Sequence, residues 1–383
     1  MAAVKVVNPG SLLKNMRTQM DISRRQMLGA SAAALYLTRL AQDVHAADAA
    51  QSASGHALPG SRLTEEFKVA AVQAEAVYLD LKGGVDKTIR LIGEAASAGA
   101  KLIAFPELWL PGYPFGHESE QWKKAYLKQY VANSLKIGSD EWRLLLEAAA
   151  REKIFVSLGY SELEGDYLYM GQALIGADGR PVQIRRKLRP SGGERTVWSD
   201  GDVSGLSVYE TEIGRVGSLS CWEHMHPQMT YILQSQMEHI HIGAWPILPE
   251  ANGFNWAGPA VNLAAARYYA TITSAVTIVP CSIVGDEAYS RFQEIPASRW
   301  VPKGGGHARI YGGDGAEIGN LIPHEVEGLV IATVDPRAFS PKTEDSDGEF
   351  SYGVLQFILE NYPGPRVPDK EHGSKNLVAI SSL

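Results

Sequence analysis

Apolar residues along this chain alternate between short continuous runs and helical periodicity, starting near Phe67. Phe67-Lys68-Val69-Ala70-Ala71-Val72-Gln73 reads as a buried strand, and Leu81, Val85, Ile89 and Ile92 then recur at helical spacing as far as Gly99. Lys101-Leu102-Ile103-Ala104-Phe105 is a second strand that ends in Pro106-Glu107, before the turn residues Pro111-Gly112-Tyr113-Pro114. Trp142, Leu145, Leu146 and Ala149 mark an amphipathic helix, and Ile154 to Tyr160 a third strand. Gln172 to Ala177 and Pro181 to Lys187 flank Asp178-Gly179, a strong hairpin signal. Val216 to Ser220 predicts a short buried strand that stops at Cys221. Met229, Ile232, Leu233 and Gln236/Met237 then share a helical face, with Pro227 in the tolerated first turn. Glu238 to Pro246 is the next strand, helical and strand patterns run from Asn262 to Cys281, and Gly304-Gly305-Gly306 leads to a second hairpin at Gly313-Asp314-Gly315. Leu329 to Val334 closes the pattern. These elements predict one α/β domain over residues 67–335, with hairpins among strand–helix–strand units and hence mixed rather than purely parallel sheets. Periodicity leaves one sheet or two open. Residues 336–383 form a tail richer in Pro, Gly and charge, with a helical pattern from Ser351 to Glu360.

Composition narrows the class. At 383 residues and 45% hydrophobic, the chain is large enough for a sizeable core. A formal net charge of -7 without a long Lys/Arg block argues against nucleic acid or an anionic membrane surface as partner. No apolar run reaches the length of a membrane span. Two cysteines, Cys221 and Cys281, cannot build a disulfide framework, and both end apparently buried strands, so both are expected to be free. The N-terminus has a different character. Ser23-Arg24-Arg25-Gln26-Met27-Leu28, the weakly apolar Gly29 to Leu37 and the small-residue site Val44-His45-Ala46 resemble a twin-arginine export signal over residues 1–46. Met20 is then a candidate start, residues 47–66 a linker, and the periplasm or the exterior the destination; without a working leader the protein stays in the cytoplasm.

Cys221 holds the position of a nucleophile on a strand-to-helix turn, close to helix N–H groups that favour a thiolate and a developing oxyanion. Glu107 lies just past a buried strand, Lys187 ends another, and Glu194 follows after the turn Pro190-Ser191-Gly192-Gly193. Together they supply a nucleophile, a carboxylate base, a cation for developing negative charge, and a carboxylate to hold that cation. Singly, each has a plainer role: a surface glutamate, a lysine on a solvated basic face with Arg185, Arg186 and Arg189, a cysteine packed as a small hydrophobe. His224, His226, His239 and His241 are expected as core or pocket histidines rather than metal ligands.

Taken together, these segments resemble the nitrilase branch of the carbon–nitrogen hydrolase superfamily. Phe105-Pro106-Glu107-Leu108-Trp109-Leu110-Pro111-Gly112-Tyr113-Pro114 is similar to its first glutamate motif. Arg186-Lys187-Leu188-Arg189-Pro190 with Glu194-Arg195-Thr196-Val197-Trp198 is similar to its lysine and second-glutamate region. Cys221-Trp222-Glu223 is similar to its nucleophile motif and Ile242-Gly243-Ala244-Trp245-Pro246 to the strand after it. The resemblance implies an α-β-β-α sandwich with sheet layers paired across a dimer, a homo-oligomer of at least that size that extends in many members to spirals or filaments, and no cofactor or metal. It implies hydrolysis of a small nitrile to a carboxylic acid and ammonia through a thioimidate and a thioester on Cys221, with Glu107, Lys187 and Glu194 as catalytic partners and Trp222, Tyr113 and Trp245 lining the substrate pocket. The alternatives are an amidase or a cyanide or nitrile hydratase of the same superfamily, and an inactive assembly protein that keeps the fold. Ser191-Gly192-Gly193 departs from the family's Thr-His-x and removes an imidazole near the site; Asp345 to Tyr352 only faintly matches a late family segment. The loops 116–130 and 197–207 are expected to shape the pocket.

Overall fold

A computed structural model describes residues 65–250, 257–295, 301–335, 337 and 378–382. The twin-arginine segment, nearly all of the linker, the pattern from Ser351 to Glu360 and the segment Asp345 to Tyr352 lie outside the described residues. Those described belong to one compact unit, Arg62–Leu383.

The first run of elements is β1 (Phe67–Ala74), α1 (Leu81–Ser97), β2 (Ala100–Ala104), a helical stretch α2 built from Glu120–Trp122, the π-turn Lys123–Leu127 and Lys128–Ala132, then α3 (Asp140–Glu152), β3 (Phe155–Glu164), β4 (Tyr167–Ile175) and β5 (Pro181–Arg186). The second is β6 (Tyr209–Thr211), β7 (Gly214–Ser220), α4 (Pro227–Gln234), β8 (Ile240–Ala244), α5 (Pro259–Thr273), β9 (Val276–Val279), β10 (Cys281–Ser282), α6 (Asp286–Phe292), β11 (Arg309–Tyr311) and β12 (Gly328–Val334). Local chemistry sets the ends. Asp80 caps α1 by accepting from the Gly83 N–H, and Ser139 caps α3 by accepting from the Trp142 N–H. Gly179, at φ 77°, makes the predicted β4–β5 turn.

Both sheets are mixed. The first runs β10-β1-β2-β3-β4-β5, with β12 antiparallel along β1; the second runs β11-β9-β8-β7-β6. Strand alternation sorts the side chains into layers. Ala70, Val72, Ile103, Val156 and Leu158 pack beneath α1 and α3. Val69, Ala71, Leu102, Ala104 and Phe155 face the other way and join Val216, Ile240, Ile242, Val276, Ile278 and Ile310 of the second sheet in one apolar cluster. Leu219 then packs with Met229 and Leu233 of α4 and Tyr269 of α5. The order is helix, sheet, sheet, helix.

One local expectation needs correction and two gain detail. A 3-10 turn, Cys221–Met225, separates β7 from α4, and α4 stops at Gln234, because Met237 turns the chain at φ 53° and the Gln236 side chain bonds Val208 N and Leu206 O instead. The turn at Gly313-Asp314-Gly315 does not join two full strands. A short hairpin forms there, with Tyr311 bridging Glu317 and backbone bonds from Gly312 N to Ala316 O and Ile318 N to Ile310 O, while β11 pairs with β9. Part of the tail returns to the domain: Val378 N donates to Ser199 Oγ at 2.9 Å and Ile380 N to Asp166 O at 2.6 Å.

Candidate active site

Glu107 sits past the end of β2, where the chain presses onto β3. A Cβ on Gly159 would lie 2.2 Å from Pro106 O and 3.0 Å from Glu107 Cα, so glycine is required for that approach. Glu107 N donates to Trp245 O at 3.4 Å, which links the end of the first sheet to the end of the second. The side chain is 2% exposed. Oε1 accepts from Lys187 Nζ at 2.8 Å, while Oε2 is buried with no hydrogen-bond partner.

Lys187 follows β5 and is held by backbone bonds, its N–H to Met170 O at 2.8 Å and its carbonyl from Gly201 N at 3.0 Å. Its Nζ also donates to Glu194 Oε2 at 2.8 Å. Glu194 closes a capping box with Ser191 and accepts from the Tyr113 hydroxyl at 3.0 Å. Burial pulls the Lys187 ammonium down, but Glu107 and Glu194 outweigh it and hold the group well above the usual lysine range. Lys187 therefore stays charged. Donor atoms of Glu107, Glu194 and Cys221 lie within 4.8 Å of one another, a spacing that could hold a metal ion, but the Lys187 ammonium bonds both carboxylates and occupies the cation's place.

Cys221 takes φ 49°, a left-handed conformation uncommon for a residue with a side chain, at the junction of β7 and its 3-10 turn. The Trp222 N–H favours the ionised sulfur. The expected thiolate is not the resting form. Burial first and the Glu107 charge second push the thiol well above its usual range, and Lys187 and the Trp222 N–H only partly oppose them. A thiol in this position needs a base. Glu107 can serve as one, since burial lifts its pKa to about 8; Glu194 adds to the lift, and Lys187 opposes it.

That lift has a cost in stability with a definite sign. A carboxyl whose folded pKa lies above its unfolded value of 4.5 binds its proton more tightly when folded, so stability falls as pH rises from about 4.5 to about 8. Glu107→Gln is therefore expected to be more stable than wild type near pH 8, by on the order of a few kcal/mol, with the gain vanishing toward pH 5. Denaturant titrations across that range check it; a gain that is flat with pH would count against the ionisation argument.

One buried ion pair ties the turn that carries Cys221 to the strand that carries Lys187. Glu223 accepts from Arg185 Nη2 at 2.7 and 2.8 Å, from Ser220 N at 2.9 Å and from Leu188 N at 2.9 Å. Arg185 is not on a solvated basic face; its side chain is 0% exposed. The sequence carried two signals for Glu223, its place in the motif after Cys221 and the capping-box spacing from Ser220. Arg185 carried none.

A cavity of about 440 Å³ opens in front of Cys221. Tyr113, Trp222 and Trp245 all line it, with Phe115, Ile247 and Leu248. Of the two expected loops, 116–130 contributes Gly116, His117 and Glu118, but 197–207 contributes nothing; Ser191-Gly192-Gly193 and the segment after β8 form those walls. A Cβ on Gly192, where the imidazole is missing, would meet nothing within 4 Å, whereas one on Gly193 would lie 3.2 Å from Glu118 Cβ. Asn262, unmarked in the sequence, accepts from Trp222 Nε1 at 3.1 Å. The histidines scatter: His226 is exposed, His239 accepts from Arg215 N, and His224 and His241 are buried against each other. Both cysteines are free.

Comparison with known proteins agrees with this arrangement. The model of the family described as carbon-nitrogen hydrolase matches residues 68–340. A protein named nitrilase from Pseudomonas syringae pv. syringae is 40% identical over 80% of this chain and 94% of its own length. An arylacetone-specific nitrilase from Alcaligenes faecalis is 41% identical over 74% of this chain and 82% of its own, and a cyanide hydratase from Gibberella baccata 39% identical over 70% and 79%. The crystal structure of an amidase from Nesterenkonia sp. superposes with a TM-score of 0.56 over 79% of this chain and 100% of its own, at 17% identity, which speaks for the fold alone. The chain belongs to the carbon–nitrogen hydrolase family and, among close relatives of several activities, to its nitrilase branch.

Proposed function

We propose that this protein hydrolyses nitriles bearing an apolar, ring-sized substituent to the carboxylic acid and ammonia. The observation that carries the reading is the unpartnered, buried Oε2 of Glu107 in a cluster whose Cys221 and Glu194 line an aromatic-walled cavity. Glu107 takes the thiol proton as the sulfur adds to the nitrile carbon, and passes it to the nitrile nitrogen, giving a thioimidate. Lys187 and the Trp222 N–H stabilise charge on that nitrogen, and Glu194, steadied by Tyr113, keeps Lys187 in place. One water adds and ammonia leaves, which makes a thioester; a second water releases the acid and restores the thiol. Loss of sulfur after the first water would give an amide instead.

Nitrile turnover is favoured over amide turnover by the near full-length likeness to proteins named nitrilase, whereas the amidase likeness is one of fold. Cyanide is a poor match for a cavity of about 440 Å³, when a water's share of liquid is about 30 Å³. Ammonia release should be fastest with arylaliphatic nitriles in a panel that includes aliphatic nitriles, the matching amides and cyanide. Faster turnover of the amides, or turnover of cyanide alone, would overturn the reading.

A further inference from the structure

Next to Cys221, and not among the cavity's lining residues, lies a buried polar chain that the proposed reaction does not use. His224 Nδ1 approaches Cys221 O at 2.8 Å, and His224 Nε2 approaches His241 Nε2 at 2.9 Å. His241 Nδ1 lies 3.0 Å from Glu238 Oε1, off the axis of the ring nitrogen, and the Tyr269 hydroxyl donates to the same oxygen. Its members are 7% exposed or less. Room for it is made by glycines: a Cβ on Gly217 would lie 2.0 Å from Glu238 Oε2, and one on Gly243 would lie 3.0 Å from His224 Nε2.

The contacts can be counted in protons. Each needs one hydrogen between its heavy atoms. Tyr269 brings its own. The remaining contacts, carboxyl to His241, His241 to His224, and His224 to the Cys221 carbonyl, need three, whereas an ionised Glu238 with two neutral imidazoles supplies two. The shortfall would fall on a contact buried away from water, where an unmet polar group costs roughly 1–3 kcal/mol and a net charge more. One further proton between Glu238 Oε1 and His241 Nδ1 satisfies all of them and makes the chain neutral. Wherever that proton sits along its own contact, His241 Nε2–H donates to His224 Nε2, and His224 carries its hydrogen on Nδ1.

We propose that Glu238, His241 and His224 form a proton-loaded relay of positioning residues that fixes His224 as a donor to the Cys221 carbonyl. That carbonyl and the Trp222 N–H, which favours the ionised sulfur, belong to the same planar peptide, so the donor sets the orientation of the N–H as well. The inference rests on Cys221 as the nucleophile, and deepens that reading.

Asparagine can replace a donor at Nδ1 and glutamine one at Nε2, whereas phenylalanine keeps the ring and loses both. In the full chain, His224→Asn should therefore alkylate with iodoacetamide at Cys221 within about threefold of the wild-type rate. His224→Gln and His224→Phe should be slower by about tenfold, the worth of one hydrogen bond. Nitrile turnover should follow through kcat, with little change in KM. Equal rates for the Asn and Gln variants, or a Phe variant at the wild-type rate, would overturn the relay. A wild-type measurement needs no variant to fold: solid-state NMR on protein labelled with 15N-histidine should show one buried imidazole protonated at Nδ1 alone and hydrogen-bonded to a second imidazole. Protonation of that ring at Nε2 alone would also overturn it. Alkylation needs no nitrile, so a wild-type protein that alkylates normally but releases no ammonia would refute the proposed reaction and leave the relay standing.

Discussion

Cys221→Ala should lower ammonia release from nitriles by about four orders of magnitude or more, because every covalent step of the proposed route passes through the sulfur. The change removes little else. Glu107 stays bonded to Lys187, and Glu223 still bonds Ser220 N and Leu188 N, so the turn keeps its anchor. Alanine also inherits the φ of 49° without the function that strain serves, so the variant is expected to fold, with a modest change in stability. Mass spectrometry of wild type quenched during turnover should find an acyl adduct on the peptide containing Cys221, absent from the variant. A variant that turns over at an appreciable fraction of the wild-type rate would end the thiol mechanism, and so would a wild type that turns over without ever carrying an adduct on that peptide.

Lys187→Met should have the second largest effect, on stability as well as on rate. Methionine keeps the length of the side chain and removes the charge that both glutamates share. Removing one partner from a buried ion pair costs about 3–5 kcal/mol, and here two carboxylates lose the same partner. With Lys187 gone, the opposing pull on Glu107 disappears and its folded pKa rises further above 4.5. A raised carboxyl pKa gives stability that is lost as pH rises from the unfolded toward the folded value, and Glu107 in wild type already holds its proton up to about pH 8, so the deficit of Lys187→Met should be level between about pH 5 and pH 8 and grow above pH 8. Turnover should be lost at every pH, since no other cation touches these carboxylates among the described residues. Thermal melts at a series of pH values check the first part. A deficit independent of pH would mean that the lost packing of the side chain, and not its charge, is what the fold misses.

How much of this was legible follows from where each group sits. Glu107 and Cys221 lie at or beside the ends of strands that apolar runs mark on their own, and Lys187 follows the strand that the Asp178-Gly179 hairpin signal marks, so local pattern reached their positions and motif resemblance reached their roles. Glu194 needed the motif, because its short 3-10 turn has no periodic signal. Arg185 was hidden by an inverted strand. In β5 the polar Gln183 and Arg185 point inward while Ile184 is 44% exposed, the reverse of what alternation predicts, because the inward pair bonds Ser218, Gly205 and Glu223. The antiparallel insertion of β12 beside β1 joins segments more than two hundred residues apart, which no local pattern encodes. The cavity walls come from separate loops whose meeting point is set by the sheets, so only the wall aromatics inside motifs could be named beforehand.

The Glu223 clamp has an architectural meaning. Lys187 is carried by the first sheet and Cys221 by the second, so without a link the gap between them would vary with every shift of one sheet against the other. Glu223 bonds the backbone on both sides, and Glu107 adds a second stitch through Trp245. Cys221, Glu107 and Lys187 thus sit in a rigid chassis, while Phe115 to Glu118, Gly192-Gly193 and Ile247 to Pro249 hang on it as exchangeable panels. Substrate range can then be redrawn by swapping panels, one loop at a time, with the spacing of nucleophile, base and cation untouched. The tolerance ends at the chassis bolts themselves, since a change at Glu223 or Arg185 would let the sheets slip.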